Sequence, residues 1–137
     1  MKKTLIFIAL LSLINLGAMA QNANGKAQKK NLVVKEWNLK TGSKTPFLDH
    51  VTTYDDYGRK IEEIEYANYG QKWRVVYQYE NSTSKCSREI EYNDKDKVVR
   101  IRKYEYNSNG SKKKQYNYSP NGKLINTKTY ERIISEQ

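Results

Sequence analysis

Residues 104–124 read YEYNSNGSKKKQYNYSPNGKL and hold two hairpin corners with the strand between them. Ser119-Pro120-Asn121-Gly122 puts proline, asparagine and glycine at the second, third and fourth positions of a turn. Proline pre-sets a type I turn and glycine accepts the positive φ that follows, so the segment predicts a three-residue loop with a G1 bulge. Asn107-Ser108-Asn109-Gly110 and Asp55-Asp56-Tyr57-Gly58 suit the same loop. Asn93-Asp94-Lys95-Asp96 is a weaker version, because aspartate tolerates left-handed backbone less well than glycine.

Working outward, each corner follows a tyrosine that belongs to a longer series. Tyr54, Tyr66, Tyr79, Tyr92, Tyr106, Tyr118 and Tyr130 are separated by 12, 13, 13, 14, 12 and 12 residues. Glycine stands four residues after four of them, at Gly58, Gly70, Gly110 and Gly122. A fixed period with an extended half and a turn half is a structural repeat. Between the corners, alternating β-formers predict strands at Arg59–Tyr66, Lys72–Tyr79, Lys85–Tyr92, Lys97–Tyr106, Ser111–Tyr118 and Lys123–Ile133. Leu32–Leu39 and Phe47–Tyr54 precede them, and no window after residue 20 supports a helix. The fold class is all-β: an antiparallel meander of about seven to eight strands in an open, twisted, single-layer sheet, with a soluble half-closed barrel as the alternative.

Loop geometry carries a register with it. Ser119 pairs with Lys123, hence Tyr118 with Leu124 and Tyr116 with Asn126. Around Gly110 the same count opposes Tyr106 to Lys112, Tyr104 to Lys114, Arg102 to Tyr116 and Arg100 to Tyr118. Each such pair sets a cationic stem against a ring. On this register the repeat tyrosines share one face. Tyr79 breaks the parity, so either a bulge within residues 72–79 restores it or that strand turns Trp73, Tyr77 and Tyr79 the other way.

Tyr-x-x-x-Gly followed by a basic strand resembles the tyrosine–aspartate (YD) repeat of RHS and teneurin-type surface proteins, from Tyr54 to about Glu131. Its best units are Tyr54 through Arg59, Tyr106 through Lys112 and Tyr118 through Leu124. The aspartate after tyrosine survives only at Asp55. The chain is also similar to small exported bacterial proteins of YD-like repeats filed as domains of unknown function. That resemblance implies a β-meander and no activity.

The remaining composition bounds destination and partners. Lys2 and Lys3, an apolar run from Leu5 to Gly17, and Ala18-Met19-Ala20 form a secretory signal over 1–20, cleaved between Ala20 and Gln21. The expected home is therefore periplasmic, cell-surface or secreted. Residues 21–30 read as a flexible arm and 31–137 as the repeat domain. The apolar run is too short for a comfortable membrane span, and no strand face carries the continuous apolar band that a membrane barrel needs. The 25 basic and 15 acidic residues, less Lys2 and Lys3, leave a mature charge of +8, a field that draws anionic partners and also keeps a protein soluble. Mean hydropathy is −0.94, so few aliphatic residues are left for a two-layer core and twelve tyrosines must substitute. Cys86 is the only cysteine, which excludes an internal disulfide.

Catalytic chemistry is poorly served. His50 is the only histidine, Cys86 lies in no nucleophile motif, and no phosphate loop or metal-ligand spacing occurs. Glu63 and Glu65 share a strand face, but basic neighbours make a solvated charge lattice of them rather than a glycosidase pair. The reading is not an enzyme, with no cofactor and no metal. One constellation carries binding chemistry: Tyr92, Tyr104, Tyr106, Tyr116 and Tyr118 interleaved with Arg100, Arg102, Lys112 and Lys114. Rings beside cations suit an anionic polysaccharide or a cell-surface protein, and export disfavours nucleic acid. The competing reading is that the tyrosines are simply the fold's own ladder. A second role is edge-to-edge homo-oligomerisation through Leu32–Leu39 or Lys123–Ile133.

Overall fold

The computed structural model describes residues 29–135. The expected leader, its Ala20–Gln21 cleavage point and residues 21–28 of the expected arm lie outside the described residues. Eight strands follow one another: β1 (Val33–Asn38), β2 (Phe47–Tyr54), β3 (Lys60–Ala67), β4 (Gly70–Tyr79), β5 (Cys86–Tyr92), β6 (Val98–Tyr106), β7 (Lys112–Tyr118) and β8 (Leu124–Thr129). They form one antiparallel sheet whose spatial order is the chain order, and β1 and β8 are its two open edges. The sheet is a meander and does not close into the alternative barrel. Every expected strand forms. The last stops at Thr129 instead of Ile133: its ladder with β7 ends at the Lys114–Thr129 pair, followed by a single further bond from the Tyr130 N–H to the Lys113 carbonyl.

Four corners share the loop that their residues predict. In each, the turn closes from the fourth residue back to the first: Gly58 to Asp55, Asp96 to Asn93, Gly110 to Asn107 and Gly122 to Ser119, at 2.9–3.1 Å. The first residue's N–H then donates across to the fifth residue's carbonyl. Gly58, Gly110 and Gly122 take φ of 74°, 80° and 85°. Asp96 takes 58° in the glycine position. It is retained there because its carboxylate accepts from Arg74 Nη2 at 2.7 Å and Nε at 3.0 Å, a bond glycine cannot make.

The register departs from the expected one in a regular way. Tyr106 does oppose Lys112 and Tyr118 does oppose Leu124, but beyond those first pairs each ladder slips by one residue. Tyr104 opposes Gln115, not Lys114; Arg102 opposes Asn117, not Tyr116; Tyr118 faces Ile101, not Arg100; and Tyr116 faces Thr127, not Asn126. All seven hairpins contain this slip, which sets aside Asp49, Ile61, Lys72, Ser87, Val99, Lys113 and Ile125 in turn. A bulge adds twist and bends its strand, and a single-layer sheet repeats it at every return.

The repeated bulge decides where the rings go. Each repeat tyrosine shares a face with the first residue of the next strand, while the residue after the bulge faces the other way. The next tyrosine lies an even number of residues further on and stays with that residue. Tyr54, Tyr79, Tyr106 and Tyr130 therefore lie on one face, and Tyr66, Tyr92 and Tyr118 on the other. The expectation of a single tyrosine face is overturned. Of the two alternatives for residues 72–79 the bulge does occur, at Lys72, but as one of seven rather than as a local correction. Hydrogen bonds agree with this sorting. Tyr79 donates to the Lys60 carbonyl at 2.7 Å and Tyr106 to the Cys86 carbonyl at 2.6 Å, whereas Tyr92 lies under the Arg74 guanidinium at 4.0 Å.

The face bearing Tyr79 and Tyr106 is the more enclosed and is called the inner face below. It carries the two buried residues of the sheet, Val75 (8% exposed) and Gln115 (9%), and no side chain is fully buried. Stability must then come from cross-strand pairs. Arg102 donates to Glu89 at 3.0 Å and Glu91 at 3.3 Å, and Tyr77 donates across to Glu63, which Lys60 of its own strand also meets at 2.9 Å.

Burial drives several inner-face phenols above their ordinary value of 10. It pushes Tyr79 up to about 12, and it raises Tyr77 and Tyr104 further with the help of Glu63 and Glu89. A phenol held protonated by folding stabilises the native state fully below the ordinary value. That contribution is lost as pH rises through the elevated one. Urea midpoints should stay level up to about pH 9 and fall steeply above 10, with the phenolate absorbance of Tyr77, Tyr79 and Tyr104 appearing only as the chain unfolds. Tyr79→Phe should flatten part of that fall, and a fall of unchanged steepness in that variant would contradict the enclosure of this phenol.

Candidate functional site

The slipped register splits the expected constellation in two. Arg100, Arg102, Tyr104, Tyr106 and Lys112 point from the inner face, while Tyr92, Lys114, Tyr116 and Tyr118 point from the outer one. The four outer residues are committed to cross-strand contacts or stand apart from the rest. Tyr116 donates to Glu105 at 2.7 Å and Lys103 covers Tyr118 at 5.4 Å. They cannot act with the inner five on one ligand.

On the inner face, β6, β7 and β8 enclose a groove of about 510 Å³ lined by Val99, Arg100, Arg102, Tyr104, Gln115, Asn117, Ile125, Asn126 and Lys128. Two rows run across the strands: Arg102–Asn117–Asn126 and Tyr104–Gln115–Lys128. With strands about 4.8 Å apart, each row spans roughly 10 Å. A second cleft, of about 650 Å³, lies beside Tyr104 and Tyr106 between the 80–85 and 107–111 connections.

The floor of the first groove is a directed chain of hydrogen bonds. Tyr130 donates to Gln115 Oε1 at 3.1 Å, Gln115 Nε2 to Asn117 Oδ1 at 2.8 Å, and Asn117 Nδ2 to Asn126 Oδ1 at 2.5 Å. Every acceptor along the line is used, which leaves the Asn126 amide as a donor at its end. The cations differ in availability. Arg102 is engaged by Glu89 and Glu91, whereas Arg100 is half exposed and, among the described residues, meets only Glu91, at 3.7 Å. Lys128 makes no ion pair among the described residues. Among the described residues no carboxylate lines the groove, so apart from Val99 and Ile125 its side chains present mainly donors.

Tyr104 is a poor stacking plate. The Lys112 ammonium sits 4.0 Å from its ring centre and Tyr106 leans on it at 6.4 Å. Gln115, Asn117, Asn126 and Lys128 were not legible as site residues from the sequence. The available signal was the i, i+2 placement of Gln115 and Asn117, which puts two carboxamides on one strand face.

The acids and the thiol are otherwise occupied. On Glu63, burial works to raise the carboxyl, but hydrogen bonds from Tyr77 and Lys60 outweigh it and hold the group below its ordinary range. Glu65 accepts from Lys72 at 2.6 Å and from Trp73. Burial pushes the Cys86 thiol up, and its S–H donates to the Arg88 carbonyl at 3.1 Å. Among the described residues no three His, Cys, Asp or Glu side chains gather to hold a metal ion. No protein-family model, curated protein or solved structure matches this chain.

Proposed function

We propose that the chain is an exported, non-catalytic binding module that takes an anionic polysaccharide in the inner-face groove of β6–β8. The observation that carries this reading is a groove of donors without a carboxylate: two arginines, a lysine and a carboxamide ladder ending in a free amide. Carboxylate or sulfate groups supply the acceptors that such a surface lacks. Ring hydroxyls suit Gln115 and Asn117, and a span of roughly 10 Å across three strands accommodates about two sugar rings. Nucleic acid fits less well, because base stacking needs an open ring face and Lys112 occupies that of Tyr104. The leader-like start of the sequence, with Lys2, Lys3 and Ala18-Met19-Ala20, supports export to where such polymers are found.

The test uses polygalacturonate and heparin as anionic probes and dextran as the neutral one, each at two salt concentrations on dilute protein. Arg100→Ala with Lys128→Ala should weaken binding of an anionic probe at least about tenfold, the loss of two charge-assisted hydrogen bonds. Lys114→Ala, which removes an outer-face charge, should change it less than about twofold. Arg102→Ala is a poor probe, since it strands Glu89 and Glu91. Equal losses from the inner and outer charges, or binding that disappears altogether at the higher salt, would mean that net charge alone attracts these polymers.

A further inference from the structure

We infer that copies of this chain join head to tail, with β8 of one copy pairing antiparallel to β1 of the next so that the sheet continues. This goes beyond the polysaccharide reading and does not depend on it. All six residues of β1 and all six of β8 are exposed, and neither edge has a covering element among the described residues. Long uncovered edges carrying apolar side chains are templates for another strand. Here β1 shows Val33, Val34 and Trp37, and β8 shows Leu124 and Ile125.

The two edges match in three independent respects. The first is backbone direction. The Tyr54 N–H donates to the Leu32 carbonyl, so Leu32, Val34 and Glu36 bond inward to β2 while Val33, Lys35 and Trp37 turn their N–H and C=O groups outward. At the other edge the Tyr130 N–H donates to the Lys113 carbonyl, so Asn126 and Lys128 bond inward and Thr127 and Thr129 turn outward. The second is face. The outward-bonding residues of both strands are the ones whose side chains lie on the outer face, so pairing them keeps inner face to inner face. The third is parity. With an even number of strands, β8 and the next β1 run antiparallel, as every neighbouring pair in the sheet already does.

Charge selects the register. Pairing Trp37 with Thr127 and Lys35 with Thr129 sets Glu36 opposite Lys128 on the inner face. It also sets Asn38 beside Asn126, which lengthens the carboxamide ladder by one. The closed alternatives lack this complementarity. Aligning the outward groups of β1 with a second β1 at near-full overlap puts Lys35 opposite Lys35 or Glu36 opposite Glu36, and β8 has only lysine charge to offer another β8. A head-to-tail joint leaves a free edge at each end, so the product is an open ribbon rather than a dimer.

Two edge-blocked variants test this, with size measured by sedimentation velocity across a concentration series and no polysaccharide present. Lys35→Pro and Thr129→Pro each remove one outward N–H and leave the inward bonds alone. The wild-type chain should grow in size with concentration. Each variant alone should stay monomeric, and an equimolar mixture should give 1:1 dimers, since the open β8 of the first variant meets the open β1 of the second. Glu36→Lys or Lys128→Glu should weaken association about tenfold, and the two together in one chain should restore it. Several results would overturn the inference: a wild-type chain monomeric at every concentration; a dimer of Thr129→Pro alone, which means β1 on β1; or a dimer of Lys35→Pro alone, which means β8 on β8. Failure of the double charge exchange to restore association would overturn the Glu36–Lys128 register.

Discussion

Arg59→Ala should lower the stability of the sheet by about 2–3 kcal/mol in urea unfolding, more than any other exposed-end substitution, and Arg59→Lys should recover less than half of that. The reason is the number of partners that converge on one guanidinium. Its Nε donates to Asp55 Oδ2 at 2.7 Å, and its Nη1 donates to the carbonyls of Asn81 at 2.8 Å and Thr83 at 3.0 Å. The plane lies 4.8 Å from the Tyr57 ring centre and 4.6 Å from that of Tyr79. Arg59 thus fastens the β2–β3 corner to the β4–β5 connection, two corners that share no strand-to-strand hydrogen bond. In a protein with no second layer, such a clamp restrains motion that a core would otherwise restrain. Lysine keeps the charge, but its point ammonium cannot meet three acceptors and two rings in one plane. Faster amide hydrogen exchange over 80–85 should accompany the loss. A variant within about 0.5 kcal/mol of the parent, the range of ordinary surface substitutions, would show that the two corners hold themselves.

The strands and corners were legible because their signals are local. Pro120 and Gly122 dictate their turn wherever the segment lies, and alternation between Asn, Asp and Gly clusters marks an extended run whatever it pairs with. Even Asp96, read as a weaker glycine, takes the positive φ at its corner. The register was not legible, and the bulge residues show why. Asp49, Ile61, Lys72, Ser87, Val99, Lys113 and Ile125 share no chemistry, and none is glycine. A slip normally betrays itself by moving apolar residues off a buried face. Here both faces carry tyrosines and charges, so a one-residue shift exchanges one acceptable pattern for another. The tyrosine series itself has a structural period of two units, Tyr54 to Tyr79 to Tyr106 on one face and Tyr66 to Tyr92 to Tyr118 on the other. Only the paired backbone reveals that doubling. The same slip moved Tyr116 away from the groove and brought Gln115 into it, which is why the candidate site was half visible.

Val75→Asp should cost about 3–5 kcal/mol at neutral pH, the largest single effect expected in this sheet. Val75 is the sheet's one buried aliphatic residue, and its two cross-strand neighbours on the inner face are Glu63 on β3 and Glu91 on β5. Trp73 and Tyr77 flank it along its own strand, so water has little access from any side. Losing the aliphatic group forfeits about 1.5 kcal/mol of burial. The rest arises because a third carboxylate enters between two others in a partly dehydrated place. Both effects favour its neutral form, so its folded-state value rises above the ordinary one for aspartate. A raised value contributes stability below the unfolded value and loses it as pH climbs through the folded one. The variant should therefore recover as pH drops from about 7 towards 4. The parent should behave oppositely in acid. Glu63 is held below its ordinary 4.5 by Tyr77 and Lys60 against the opposing pull of burial, so its contribution is complete above 4.5 and lost as pH falls through the depressed value. Urea midpoints for the two chains should converge on acidification, while Val75→Thr, which adds a hydroxyl but no charge, should run parallel to the parent about 1–2 kcal/mol below it. Curves for Val75→Asp and the parent that stay parallel from neutral pH to acid would mean that the inner face at Val75 is wet. The carboxylates of β3 and β5 would then not be close enough to sense a third.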